Sequence, residues 1–348
     1  MGWQSLGGRL LGVVFSLLAA ATFALNAAAA RRAVLSGTVL QGLMITVPLG
    51  VPLFLVLMLA TGQTHLLLAF PLEAFVWFAA AGIVHFVIGR YGNYAASAAI
   101  GTNLASPILQ CEVLITLALA IYILGEYLTP LRALGIVLVL LGPALIVNRE
   151  DAKKAAANTS SSASAAPSET IGVKAAFKPR YFEGYLYAML AAVGYGLSPV
   201  FIGLGLKAAG GTGVLAGGFV SYVAASLTVA LVLLVLRPPA STYRIGETAL
   251  KWFLFAGCIV FLSHAFRYAA IALAPVSVVT ALQRLSSLFR IYFGWIINRD
   301  HEVFDESVIV ATVVSMIGAM ALSISTETFL SLAAWPDWLV GIARMRWP

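Results

Sequence analysis

Four basic residues stand inside apolar stretches of this chain: Arg90, His264, Arg267 and Arg284. A charged side chain at the centre of a bilayer costs about 2.5–3.5 kcal/mol on insertion scales, so each needs a partner, a wet cavity or a ligand. Their spacing is ordered. At an offset of 174 residues, Arg90 falls opposite His264, Asn93 opposite Arg267 and Tyr94 opposite Tyr268. Both sets place a basic residue, a polar or basic group three positions on and a tyrosine four positions on along one helical stripe. The following stretch repeats the logic: Asn103, Ser106 and Gln110 share a face, and their counterparts are Ser277, Thr280 and Arg284. If these stripes face each other, Arg90, His264, Arg267 and Arg284 make a positive cavity. Arginine there would hold a carboxylate or phosphate through charge-assisted hydrogen bonds, with Tyr94 and Tyr268 as hydrogen-bond donors or an aromatic wall.

Blander readings stand beside these. Arg90 and Arg267 lie within two turns of their helix ends and could snorkel to headgroups. His264 could be a satisfied core histidine. Arg290, six residues past Arg284, is turned away from it on a regular helix and reads as interfacial. Glu112, two residues past Gln110, points away from the Asn103 stripe. It either pairs with an arginine of a neighbouring helix or carries a proton. His85 sits on a stripe with Gly82, Gly89 and Gly92, whose spacing allows close helix contact, so it reads as a packing residue.

The elements that must position these groups follow from hydropathy. A crossing helix needs roughly 20 apolar residues. Ten segments qualify: 8–30, 37–60, 72–97, 100–124 and 129–148, then 183–206, 213–236, 250–273, 275–298 and 306–326. Residues 149–182 are rich in Ala and Ser, carry Pro167, Pro179 and cations including Lys153, Lys154, Lys174, Lys178 and Arg180, and read as a flexible linker. Residues 327–348, with Trp335, Trp338, Trp347, Arg344 and Arg346, read as an interfacial tail. The predicted organisation is therefore 1–148, linker, 183–326 and tail.

The two apolar blocks resemble one another. Leu18-Ala19-Ala20 and the residues to Asn26 return as Leu190-Ala191-Ala192 to Ser198, Tyr94-Ala95-Ala96 as Tyr268-Ala269-Ala270, and Gly142 as Gly318. Five spans per block is an odd number, so the second block must enter from the opposite side. The predicted fold is an all-α integral membrane protein with ten helices in two inverted five-helix repeats, an arrangement suited to alternating access.

Composition agrees. The chain of 348 residues is 61% hydrophobic and 10% charged, against about 25% charged in soluble domains. The net charge of +7 is scattered, which excludes a nucleic-acid patch and suits anionic headgroups. Cys111 and Cys258 lie in apolar runs and read as packing residues. The N-terminal apolar run from Leu10 to Ala30 exceeds a signal core of about 7–15 residues and reads as a span. Counting Lys and Arg over the loops puts the linker in the cytoplasm and both termini outside.

The stretch Phe266-Arg267-Tyr268-Ala269-Ala270-Ile271-Ala272-Leu273-Ala274-Pro275-Val276-Ser277 resembles the eighth-to-ninth helix junction of EamA-type transporters, members of the drug/metabolite transporter superfamily. Leu124-Gly125-Glu126-Tyr127-Leu128-Thr129 resembles the family's element after the fourth helix, and Gly142 closes a similar fifth helix. The resemblance implies a ten-helix carrier, commonly an exporter, for amino acids, other small polar metabolites or drugs. Two departures accompany it. Glu112 precedes Val113 where the family often has Glu-Pro, and the second Leu-Gly-Glu element has degenerated to Asn298-Arg299-Asp300-His301-Glu302. Family members are commonly drawn with cytoplasmic termini, against the charge count.

The expected function is secondary transport, with proton coupling through Glu112 as an open alternative, of an anionic or zwitterionic metabolite bound by Arg90, Asn93, Tyr94, Asn103, Gln110, His264, Arg267, Tyr268 and Arg284. The alternatives are import of a cation or aromatic compound through Glu112, a membrane enzyme or a channel. His65, His301, Glu302 and Asp305 are too scattered for a catalytic cluster, and no nucleotide loop or filter is visible. The partners expected are the substrate, lipid and, as an open alternative, a second copy of the chain. No nucleic acid, cofactor or metal is expected, and the expected location is a bacterial inner membrane, crossed many times.

Overall fold

The computed structural model describes residues 6–124, 128–160, 178–273, 279, 282–331 and 333–346. Their architecture is all-helical. In chain order the elements are α1 (Leu6–Ser36), α2 (Val39–Thr46), α3 (Gly50–Ala60), α4 (Thr64–Ala69) and α5 (Leu72–Gly82). A π-helical segment, Ile83–Gly89, leads into α6 (Arg90–Leu109), α7 (Glu112–Leu124) and α8 (Pro130–Ser160). Then come α9 (Tyr181–Ala208), α10 (Val214–Leu236), α11 (Glu247–Leu273), α12 (Ser286–Asn298) and α13 (Glu306–Ser323), followed by the short helices α14 (Thr326–Leu330) and α15 (Asp337–Ala343).

Seven helical stretches among the described residues are long and apolar enough to cross a membrane. The difference from ten has local causes. Leu72–Leu119 is one continuous stretch of 48 residues where two spans are predicted, and the apolar part of α8, Pro130–Ile146, is shorter than the threshold. The predicted span 275–298 lies partly outside the described residues. So do Gly125, Glu126 and Tyr127 of the Leu-Gly-Glu element, and residues 161–177 of the linker.

The helices are inside-out relative to a soluble bundle. On α10, Leu227, Leu231 and Leu234 are exposed on one face while Tyr222, Ala225 and Val229 are buried on the other. Exposed apolar stripes of this kind need lipid around them. Inside, α1 packs along α11, α6 along α9 and α8 along α13, while α7 leans on α9 and α12 on α1. The α8–α13 contact depends on absent side chains: a Cβ on Gly318 would lie 2.6 Å from the Val139 amide nitrogen, and one on Gly142 2.8 Å from the Ala311 carbonyl. The predicted glycine stripe also makes close contacts, Gly82 against the α10 backbone and Gly92 against that of α9.

Two local signals order the end of the bundle nearest the linker. Thr38 and Gln41 form a reciprocal capping box at the start of α2, and the Gln41 amide also donates to the Thr242 carbonyl at 3.0 Å. Gly101 adopts φ +82°, a left-handed conformation that glycine supplies without a Cβ penalty, and breaks α6 one residue inside the predicted span 100–124.

Candidate functional site

The stripe residues lie on helices that do not run straight. In the first half the hydrogen bonds at residues 108–115 tighten: Cys111 N–H donates to Ile108 O, Val113 to Gln110 and Leu114 to Cys111, each three residues back. In the second half Leu285 N–H donates to Leu282 O, Ser287 to Arg284 and Leu288 to Leu285. Every bond of the second set is a bond of the first moved by 174 residues. Both helices are therefore broken at corresponding points, one between α6 and α7, the other just before α12. A break changes the helical phase, so angles counted across it fail.

The breaks meet. Gln110 Nε2 donates to Ser287 Oγ at 2.7 Å, and Arg284 Nη1 forms an ion pair with Glu112 Oε1. Each half thus sends its break residue across to the other. Between them lies a cavity of ≈ 50 Å³ whose walls include Ser106, Gln110, Glu112, Tyr195, Arg284 and Arg290. Glu112 shares this wall with Gln110 and Ser106, although regular helical spacing turns it away. Arg290, read as interfacial, lines the same cavity. The turn at Arg284 and Leu285 explains the second displacement, and the turn at Gln110 and Cys111 the first.

The other predicted residues form separate clusters. Arg90 is buried, with its guanidinium donating to Thr46 O at 3.0 Å and to the Tyr222 hydroxyl at 3.2 Å and lying 5.0 Å from the Phe86 ring centroid. It does not snorkel. Tyr94 donates to the same Thr46 hydroxyl at 3.3 Å, and Asn93 is buried nearby on α6. His264 is buried with its ring edge-on to Phe23 at 5.2 Å. His85 packs its ring 4.7 Å from that of Tyr195, which links this aromatic nest to the cavity wall. Arg267 is half-buried on α11. The side chain of Tyr268 and residues Ser277 and Thr280 lie outside the described residues.

Asn103 leaves its stripe for a third cluster at the linker end. Its amide N–H donates to Glu302 Oε2 at 3.0 Å, and the Thr102 amide and hydroxyl both donate to Glu302 Oε1 at 2.7 Å. Arg31 completes the cluster, 3.7 Å from the same carboxylate and donating to the His301 carbonyl at 2.7 Å and to the Ser97 carbonyl. The Glu302 carboxylate therefore caps the half-helix that starts after Gly101. Burial pushes its pKa above the ordinary carboxylate range, while Arg31 and the Asn103 and Thr102 donors pull it back down. Sequence reasoning treated this acid as part of a degenerate loop. Its position, matching the Leu-Gly-Glu acid of the first half, was the available signal. Among the described residues no group of three or more His, Cys, Asp and Glu could hold a metal ion.

With this geometry in view, comparison with known proteins is informative. Residues 10–148 match the model of the EamA-like transporter family. The match covers less than half of the chain and marks this segment as similar to that family. That family falls within the drug/metabolite transporter superfamily. Together with the seven apolar helical stretches, the match describes a multi-pass integral membrane protein. A solved structure described as "Crystal structure of protein" is similar over 95% of this chain and 99% of its own, at 18% identity and a TM-score of 0.55, a likeness of fold alone. No curated protein matches the chain.

Proposed function

We propose that the chain is a carrier of ten spans in two inverted five-span repeats, which exports a small anionic or zwitterionic metabolite by alternating access at the paired helix breaks. The observation that carries this reading is the set of backbone hydrogen bonds repeated at 174 residues, with each break reaching into the other. Discontinuous helices from related halves are how many carriers build a midplane site, because a break frees backbone groups and half-helix ends for a ligand. The packing supports the same symmetry. Moving every span on by five converts the α1–α11 contact into the α9–α6 contact, and α12 on α1 into α7 on α9, while α8–α13 maps onto itself.

The Glu112–Arg284 pair favours a charge-neutralising role for Glu112 over that of a lone proton carrier. Substrate exchange would proceed by competition: a ligand carboxylate for Arg284, or a ligand ammonium for Glu112, loosens the link between the halves and lets them part.

The test is counterflow. Proteoliposomes preloaded with lactate, alanine, phosphate or choline are challenged with the labelled form of the same compound. We expect exchange of an anion or zwitterion without passive ion conductance. Exchange should fall about tenfold or more in Glu112→Gln and in Arg284→Gln, and recover in part when Glu112→Arg is combined with Arg284→Glu. Exchange of choline alone, or a steady ion current, would overturn the reading in favour of a cation carrier or a channel.

A further inference from the structure

The cavity between the breaks holds one cation more than it holds anions. Its acid, Glu112, is taken by Arg284. Arg290 enters from α12, with its Nε buried and without a hydrogen-bond partner, and no described carboxylate pairs with it. A guanidinium left so inside an apolar bundle is expensive unless something is meant to meet it. The remaining wall is chemically suited to an oxyanion: Ser106, Ser286 and Tyr195 offer hydroxyl groups, and Ser287, which already accepts from Gln110, keeps its own O–H to donate.

We propose that Arg290 is the seat of the transported molecule's anionic group, and that the cavity takes one negative charge, as a carboxylate or a singly charged phosphate. The arithmetic is direct: two guanidiniums and one carboxylate leave one positive charge, which a monoanion neutralises and a dianion overshoots. Guanidinium geometry adds selectivity, since its parallel N–H groups match two oxygens of one head group. The size agrees. At ≈ 50 Å³ the space admits a head group, whereas sites for whole drug-sized molecules run to about 300–1,000 Å³. Binding would therefore seat the charged head here and draw the halves apart to admit the rest. This assignment rests on the reading of the cavity as the transport site, but concerns a residue that reading does not need.

The experiment uses the full chain in detergent. Thermal unfolding is followed against acetate, lactate, phosphate, succinate and choline, with ionic strength held by sodium chloride. Saturable stabilisation by acetate and lactate, or by phosphate at a pH where it is singly charged, is expected, and none by choline or succinate; the two anion arms separate a carboxylate site from a phosphate site. Arg290→Gln should weaken that stabilisation about tenfold or more. Its ligand-free midpoint should equal or exceed that of the native chain, because an unpaired buried cation has gone. Arg290→Lys should keep part of the affinity, and serves alone if Arg290→Gln is not monodisperse. Anion stabilisation unchanged in both variants would overturn the assignment, as would the absence of any anion effect in the native chain. Counterflow separates the two claims. Native-rate exchange of the same anion in Arg290→Gln removes the seat and leaves the carrier, whereas anion binding through Arg290 with no exchange removes the carrier and leaves the seat.

Discussion

Two carboxylate–guanidinium pairs in this molecule use the same chemistry to opposite ends. Arg31 and Glu302, at the linker end, are fully buried, with 0% side-chain exposure on both partners. Their neighbours close around them: the carboxylate accepts three further hydrogen bonds from Thr102 and Asn103, and the guanidinium reaches two carbonyls. Arg284 and Glu112, at the breaks, keep 18% and 25% exposure and border a cavity. A saturated pair holds three segments together and has nothing to offer a ligand. A pair that borders a cavity and keeps some exposure can be exchanged for a ligand. The difference lies in the neighbours and not in the charged groups, since burial with full hydrogen bonding makes an ion pair costly to break, whereas water access lowers that cost.

Removing the saturated pair gives the largest effect. Glu302→Gln should destabilise the chain by about 3–5 kcal/mol, because it strands Arg31 in a dry site. Chemical or thermal unfolding in detergent measures this, and a loss no greater than that of Glu112→Gln would dissolve the contrast. Next comes Gly101→Ala. A Cβ there would lie 2.5 Å from Glu302 Oε2 on a backbone at φ +82°, so a loss of about 1–2 kcal/mol is expected. If unfolding shows none, the break and its cap are not coupled as described. Glu112→Gln leaves Arg284 beside Arg290 without an acid and should cost about 1–2 kcal/mol, less than Glu302→Gln because the site is not fully closed, while exchange collapses. Equal losses of both would place it with the structural pair. Smallest is Lys251→Ala, at an ion pair with Glu247 whose side chains are 72% and 79% exposed. No measurable shift of the unfolding midpoint is expected, and a clear one would show that exposure is a poor guide to these pairs.

Much of the scaffold was legible in advance because lipid imposes a simple rule. Apolar runs such as Val214–Leu236 have little choice but to be helices, and the 174-residue offset located Gln110 and Arg284 as partners in a shared design. An unbroken helix would turn Glu112 away from Gln110 and Arg290 away from Arg284; the turns at Gln110–Cys111 and Arg284–Leu285 bring all four to one cavity instead. Arg90 was grouped with Arg284 by symmetry, yet the Thr46 carbonyl and the Tyr222 hydroxyl satisfy it in a separate cluster. Those partners lie 44 and 132 residues away, beyond the reach of any local pattern.

The amino-acid order by itself determined the membrane class and the list of charged groups that must find company, because hydropathy is a property of the chain alone. Tertiary structure decided which company each group keeps. Whether a carboxylate becomes a saturated latch like Glu302 or an exchangeable contact like Glu112 depends on how many donors fold around it and on whether water reaches it. Both depend on packing between residues far apart along the chain.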